Sequence, residues 1–258
     1  MRLIWIAAVA SCLPARADLL SLMYPPEPDV IANTDVLDRR WPAPAPDHPV
    51  YYLAISKGYR DFGFLIGGEK IPDRHGVLQM VTKILDAQGF KVASAEHPPS
   101  VMILYSWGTF YLNPTPYAHT FAGEMLEFLG AYKLGLRTDS RSTGVRDLGP
   151  GLTSLNPDVS TVAGFLPHGM YVITFWAFDY ERALKGEAHL IWKTNISSSA
   201  RGFYLPEVLP TMLVVAAPLI GRETARPIRI DVGKHYHPSV EIGPLRVLDP
   251  DVKLEMVR

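Results

Sequence analysis

Cysteine is almost absent from this chain, because Cys12 is the only thiol among 258 residues. A single thiol excludes a disulfide framework within the chain. Neither charge sign dominates either, since 25 Lys and Arg stand against 26 Asp and Glu for a net charge of −1. That balance offers no general electrostatic attraction for nucleic acid or anionic lipid, and we expect no nucleic-acid partner.

Long apolar runs are also missing. The run from Leu3 to Leu13 is too short for a hydrocarbon core that needs about 20 residues, and the later apolar segment 204–220 is interrupted by prolines. Apolar residues nevertheless make up 48% of the chain and charged residues 20%. This composition predicts a globular protein that folds without a disulfide or a structural metal.

The first 17 residues, MRLIWIAAVASCLPARA, have the three parts of a secretory signal peptide. Arg2 provides the basic start, an apolar stretch follows, and Pro14 precedes the small-residue site Ala15-Arg16-Ala17. We therefore expect an exported protein that is cleaved after Ala17. In a bacterium the location would be periplasmic or associated with the outer membrane.

Cys12 supports a second interpretation of the same segment. The sequence Val9-Ala10-Ser11-Cys12 is similar to a loose bacterial lipobox, in which the cysteine becomes the acylated N-terminus. Acyl chains would hold the protein on a membrane, because each buried methylene contributes about 0.8 kcal/mol. Secretion and lipid anchoring at Cys12 both stay open, and an anchor of this kind is the only membrane contact that the sequence suggests.

The rest of the chain divides into three parts by composition. Residues 18–50 are rich in proline, which predicts an extended arm. Residues 51–220 show a regular α/β pattern, interrupted by an insertion at 108–168 that is rich in Gly, Pro, Ser and Thr. Residues 221–258 form an irregular C-terminal extension.

The pattern of residues 51–220 gives the order β-α-β-β, a helical insertion, then β-β-α. The clearest helix follows Asp73 as N-cap and stops at Gly89. The strands Phe90 to Ala95 and Val101 to Trp107 are separated by a short link, which predicts an antiparallel hairpin. Residues 170–181 are apolar at odd and even positions alike, as in a central strand. The predicted fold class is α+β: a mostly antiparallel sheet covered on one face by helices, with a Pro-rich N-terminal arm.

The hairpin 170–196 supplies the catalytic candidates. A turn centred on Lys185 places Glu181 opposite His189, with Asp179 on the same face. A carboxylate beside an imidazole raises the pKa of the imidazole and can serve as an acid/base pair. Charged residues of this kind are also typical of the solvent-facing end of a hairpin. Glu181, His189 and Asp179 are therefore candidates, and no catalytic residue is assigned.

Two histidines form the nearest approach to a metal site. His235 and His237 lie on the same side of an extended segment, a spacing found among zinc and copper ligands. Two ligands do not make a site, and neither a cysteine pair nor an acidic cluster lies near them in the sequence. We expect no metal and no cofactor.

Four short segments resemble those of uncharacterised bacterial envelope domains of the lipoprotein kind. They are residues 85–90 (LDAQGF), residues 101–105 (VMILY), residues 190–192 (LIW) and the apolar helix from Leu205. The resemblance covers about half of the chain, and its motifs form the core rather than carry chemistry. It implies an envelope location and no known catalysis.

These observations predict a non-enzymatic exported envelope protein that binds an unknown protein or envelope component, or supports an assembly. The alternative is an exported hydrolase that uses Glu181 and His189 in a cleft beside the 108–168 insertion. A small-molecule carrier is the third class, and an apolar cavity would distinguish it from the other two.

Overall fold

The computed structural model describes residues 28–41, 43–45, 47–63, 69–111, 119–136, 157–165 and 169–235. The predicted signal peptide, with Cys12 inside it, lies outside these residues. His237 also lies outside them. His235 is the last residue of a short helix.

Seven strands form one sheet in the order β3-β2-β4-β5-β6-β1-β7. Strand β2 runs parallel to both of its neighbours, β3 and β4, and the remaining pairs are antiparallel. The sheet curls into a half-barrel. The strands are β1 Val30–Val36, β2 Val50–Gly63, β3 Phe90–Val92, β4 Val101–Tyr111, β5 Met170–Asp179, β6 Leu190–Ser199 and β7 Ile228–Ile230.

Six α-helices accompany the sheet in the described part of the chain, together with 3₁₀ turns at Ala131–Leu134 and Ala217–Leu219. The helices are α1 Arg74–Ala87, α2 His119–Phe128, α3 Pro157–Phe165, α4 Tyr180–Leu184, α5 Leu205–Ala216 and α6 Val232–His235. Among the described helices, none combines the length and apolarity needed to cross a bilayer.

The predicted fold class is wrong. The sheet is mixed rather than mostly antiparallel, and strands contribute more residues than α-helices. The helices also do not share one face. Helices α1 and α5 pack on one face, which we call the α1–α5 face, while α2 and α3 pack on the opposite face.

The error begins at β3 and β4, which form no hairpin. They flank β2 instead: Tyr52 pairs with Val92 of β3 on one side and with Val101 of β4 on the other. The link 93–100 crosses β2, and the ring of His97 stacks on that of Tyr51 at 4.5 Å between centroids. Fully extended, the link reaches roughly 26 Å, whereas two strand spacings need only roughly 10 Å. A link short enough for a hairpin is therefore also long enough to cross a strand.

The predicted arm also contributes a strand. Strand β1 pairs with β6 from Val30↔Ser198 to Val36↔Trp192, so the sheet gains an internal strand from the Pro-rich segment. Its first three residues, Val30, Ile31 and Ala32, are at most 1% exposed. Three consecutive apolar residues are typical of a strand that is covered on both faces. Their burial favours a paired strand over the unpaired arm that the nearby prolines predict.

The two faces of the sheet differ in how far the described helices cover them. On the α1–α5 face, α1 and α5 bury the large aromatic side chains of β4 and β5, among them Tyr105, Trp107 and Phe175. On the opposite face, α2 and α3 cover one end, where Phe110 and Met170 are buried. The other end of that face retains partly exposed apolar side chains.

Candidate functional site

The predicted acid/base group is arranged differently from the expectation. The register places Phe178 opposite Leu190, and the backbone N–H of Asp179 donates to the carbonyl of His189 at 3.0 Å. Asp179, and not Glu181, therefore stands opposite His189. Helix α4 begins directly after β5, and the Asp179 carboxylate caps it by accepting from the Arg182 N–H at 3.0 Å. Glu181 is exposed on that helix.

His189 has a partner that the sequence did not suggest. Its Nε2 lies 2.9 Å from Oδ2 of Asp38, 151 residues earlier in the chain. The Arg40 guanidinium also donates to Asp38, at 2.7 Å to Oδ2 and 2.9 Å to Oδ1. Hydrogen bonds from Arg40 and then from His189 hold the pKa of the Asp38 carboxyl well below its usual range. No motif near Asp38 signals this contact, since it depends on the pairing of β1 with β6.

The Asp38–His189 pair fastens two strand ends together. The backbone N–H groups of Leu37 and Asp38 both reach the carbonyl of Ile191, at 2.8 and 3.1 Å. The carboxylate is only 8% exposed and already accepts from two side chains. The pair therefore joins the end of β1 to the start of β6, and its imidazole is held by Asp38 rather than by Glu181.

A cavity of about 480 Å³ lies on the face opposite α1 and α5. The described residues around it combine two cations with three apolar side chains: Lys57, Arg60, Leu104, Trp176 and Phe178. Leu104 and Trp176 pair across β4 and β5, so they form one cross-strand row. All three apolar side chains are partly exposed. This cavity is the candidate functional site.

A β-bulge brings the two cations together. The pairing of β2 with β4 shifts between Ser56 and Gly58, which leaves Lys57 as an extra residue. In a regular strand, residues three apart face opposite sides. The bulge instead allows Lys57 and Arg60 to line one cavity. Gly58 sits at φ +81°, a conformation that favours glycine, so the sequence Lys57-Gly58 encodes the bulge locally.

Both cations keep their charge available to a ligand. Neither Lys57 nor Arg60 forms an ion pair with any residue that the structure describes, and both are exposed. The Arg60 guanidinium lies 5.2 Å from the centroid of the Phe62 ring, a cation–π contact, and its N–H groups donate to none of the described residues. The site therefore offers two hydrogen-bonding cations beside an apolar floor.

Sequence reasoning missed this site because its residues looked ordinary. The sequence Lys57-Gly58 is typical of the end of a strand, although a Gly inside a strand pattern also signals a bulge. Leu104 and Trp176 belong to segments in which odd and even positions alike are apolar. The sequence therefore does not show which of these apolar side chains stay exposed. The metal candidates remain apart from it: His235 ends α6 and His237 is outside the description. Within the described ranges, no three His, Cys, Asp or Glu side chains are grouped as a metal site would require.

Comparison with known proteins leaves the chain without a family. No family model matches the sequence. No curated protein matches it either. A solved PelC variant dodecamer from Paraburkholderia phytofirmans is similar at 12% identity and a TM-score of 0.30, over 73% of this chain and 97% of that one. A PDZ domain protein from Parabacteroides distasonis is similar at 10% identity and a TM-score of 0.35, over 82% of this chain and 40% of that one. At these scores neither likeness identifies the fold or a function.

Proposed function

We propose that the protein is an exported, non-enzymatic binding protein of the cell envelope and that a small organic anion occupies the cavity. One observation carries the proposal. Lys57 and Arg60 project into the same cavity as Leu104, Trp176 and Phe178. Cations without an ion-pair partner among the described residues, placed beside an apolar floor, complement a molecule with an acidic group and an apolar body.

The size of the cavity fits such a ligand. Its volume of about 480 Å³ falls within the roughly 300 to 1,000 Å³ of small-molecule sites. Arg60 can hold a carboxylate or sulfonate with two parallel N–H bonds, and Lys57 adds a point charge. Trp176 and Phe178 supply the apolar contact area that gives affinity. A small-molecule carrier is therefore better supported than a scaffold without a ligand.

Export belongs to the proposal through residues 1–17. A signal peptide there would place the ligand in the periplasm or at the outer membrane if the source is bacterial. An acylated Cys12 would add a membrane anchor beside the binding activity. The N-terminus of the mature protein decides between these two forms.

The hydrolase alternative has weaker support. It requires Glu181 and His189 to act as a pair in a cleft, but Glu181 is exposed on α4 and His189 bonds to Asp38. Asp179 is engaged in capping α4. Acid/base chemistry by this group would need all three contacts to rearrange.

The test is a fluorescence titration with 8-anilinonaphthalene-1-sulfonate, an aromatic anion. We expect Lys57→Ala and Arg60→Ala each to weaken its binding about fivefold and Trp176→Ala to weaken it at least tenfold. Lys83→Ala is the matched control, because Lys83 is an exposed cation on α1 and α1 packs on the other face. Parent-like affinity in Lys57→Ala, Arg60→Ala and Trp176→Ala together would refute the proposal.

A further inference from the structure

Four polar side chains stand side by side across the sheet. Ser106 of β4 pairs with Thr174 of β5, Thr174 pairs with Asn195 of β6, and Asn195 pairs with Asn33 of β1. We call these four residues the polar row. Each is at most 2% exposed. A continuous polar row in the interior of a sheet is unusual, because each buried polar group needs a hydrogen-bond partner.

The polar row lacks such partners. Each member of the row has a side-chain oxygen without a hydrogen-bond partner among the described residues: Ser106 Oγ, Thr174 Oγ1, Asn195 Oδ1 and Asn33 Oδ1. The Asn33 amide donates through Nδ2 to the carbonyl of Phe128 at 2.7 Å, which fixes its Oδ1 as a free acceptor. Each unpartnered buried group costs about 1 to 3 kcal/mol. Four of them in one line can bind a partner that the described residues do not supply.

The polar row continues the floor of the cavity. Ser106 lies two residues after Leu104, and Thr174 lies two residues before Trp176, with an unbroken register between them. Residues two apart on a strand share a face and lie roughly 7 Å from one another. The row is therefore one step deeper on the same face as the cavity lining.

Arg60 lies beside the polar row on β2 and also lines the cavity. On β2, Gly58 pairs with Ser106 and Arg60 pairs with Gly108. Gly58 and Gly108 have no side chains. Arg60 therefore borders the polar row where these two positions of the sheet carry no other side chain. Arg60 is also exposed and lines the cavity, so its side chain has room to move.

We propose that the polar row is the inner end of the ligand site and that the ligand is a polyhydroxylated organic anion of the sugar-acid class. This inference rests on the proposed function. The carboxylate binds Lys57 and Arg60, and movement of Arg60 towards it opens the row to the ligand hydroxyls. The hydroxyls exchange hydrogen bonds with Ser106 and Thr174, the two members of the polar row on the strands nearest to β2. The carbon-bound hydrogens of the ligand pack against Trp176.

This arrangement predicts strong selection for hydroxyl groups. An anion without hydroxyls leaves the row as unpartnered as it is in the free protein. A site built to bind hydroxyls discriminates against analogues that lack them, because its buried polar groups then stay unpaired. The aromatic sulfonate used above has no hydroxyls, so it reports on the outer cavity alone.

The experiment is isothermal titration calorimetry with D-glucuronate on the full chain, beside the fluorescence titration with the aromatic sulfonate. We expect Thr174→Val and Ser106→Ala each to weaken glucuronate binding about tenfold and to leave the affinity for the sulfonate unchanged. Ser198→Ala is the matched control. Its hydroxyl is equally buried and also has no partner among the described residues. Ser198, however, occupies a position of β6 that faces the α1–α5 side of the sheet, opposite to the polar row.

The outcomes separate the two proposals. Unchanged glucuronate affinity in Thr174→Val and Ser106→Ala overturns the inference, as does sulfonate binding without any glucuronate binding, and both leave the proposed function standing. An equal loss in Ser198→Ala also overturns the inference, since the effect would then not be specific to the polar row. Failure of both anions to bind the parent protein overturns both proposals.

Discussion

Asp38 and His189 join two strand ends that are 151 residues apart in the chain, with 2.9 Å between Oδ2 and Nε2. Arg40 binds the same carboxylate from the side of β1. The contact closes the corner between β1 and the β5–β6 hairpin, beside the cavity-bearing part of the sheet. It connects the predicted arm to the predicted domain.

This contact predicts acid sensitivity. The pKa of Asp38 is lowered by Arg40 and His189 in the folded protein, whereas an unfolded Asp titrates near about 3.9. A lowered folded pKa contributes stability above the unfolded pKa, and this contribution is lost as the pH falls towards the folded pKa. Asp38→Asn should therefore lower Tm most at neutral pH. The difference from the parent should shrink below a pH of about 4 in thermal unfolding followed by circular dichroism.

A second Asp–His pair provides the control. Asp47 and His48 lie 3.6 Å apart, but their side chains are 76% and 85% exposed. Water screens such a pair, so Asp47→Asn should leave the decrease of Tm at acidic pH unchanged. A parallel shift of Asp38→Asn and parent at every pH would contradict the assignment.

Lys133 forms a second contact that we expect to stabilise the fold. Its side chain is 7% exposed, and its ammonium group lies 2.6 Å from the carbonyl of Thr34, 2.8 Å from that of Thr224 and 2.9 Å from Oδ1 of Asp35. Lys133→Met removes the charge and leaves these oxygens without their donor. We expect a loss of about 3 kcal/mol in the free energy of unfolding, measured by urea denaturation.

Lys91 is the matched comparison for Lys133. It pairs with Asp86 at 2.6 Å, but the two side chains are 42% and 56% exposed. Lys91→Met should therefore change the free energy of unfolding by less than about 0.5 kcal/mol. Equal losses in the two variants would show that the burial of Lys133 has no special effect.

Features encoded over a few neighbouring residues could be predicted from the sequence. Helix α1 is confirmed, with the Asp73 carboxylate accepting from the Gly76 N–H at 2.8 Å and Gly89 at φ +89° after its end. Strand β5 is confirmed as a central strand, buried along most of its length between β4 and β6. Caps, stops and apolar periodicity act within one element, so the sequence displays them directly.

Sheet order and the candidate site depend on contacts between distant residues. The apolar residues of β1 did not reveal that it pairs with β6, and the length of link 93–100 allowed either a hairpin or a crossing. Helix α4 takes up residues 180–184 after β5, and the hairpin register differs by two residues from the expected one, so Asp179 and not Glu181 stands opposite His189. Serine, threonine and asparagine in the polar row resemble a solvent-facing strand pattern until the neighbouring strands are known. None of these choices is encoded within a single segment.

The N-terminus gives a prediction that is independent of the fold. If residues 1–17 act as a signal peptide, a bacterial expression host should yield a mature chain that starts at Asp18, as read by intact mass spectrometry. A mass that corresponds to an acylated Cys12 would establish the lipid anchor instead. A chain that keeps Met1 and Arg2 in the cytosol would contradict export, with Arg16→Asp as a processing variant for comparison.

We expect the largest loss of stability from a substitution at Gly108. A Cβ atom on this residue would lie 1.7 Å from the carbonyl oxygen of Arg60, inside the β2–β4 pair that carries the cavity. Backbone cannot yield as a flexible side chain does, so Gly108→Ala should cost about 3 kcal/mol or more in urea denaturation. Gly164 in α3 is the control, because no described atom lies within 4 Å of its added Cβ. Gly164→Ala should gain roughly 0.5 kcal/mol from helix propensity. A neutral Gly108→Ala would mean that β2 and β4 are not held at this close spacing, and the cavity they frame would then lose its fixed shape.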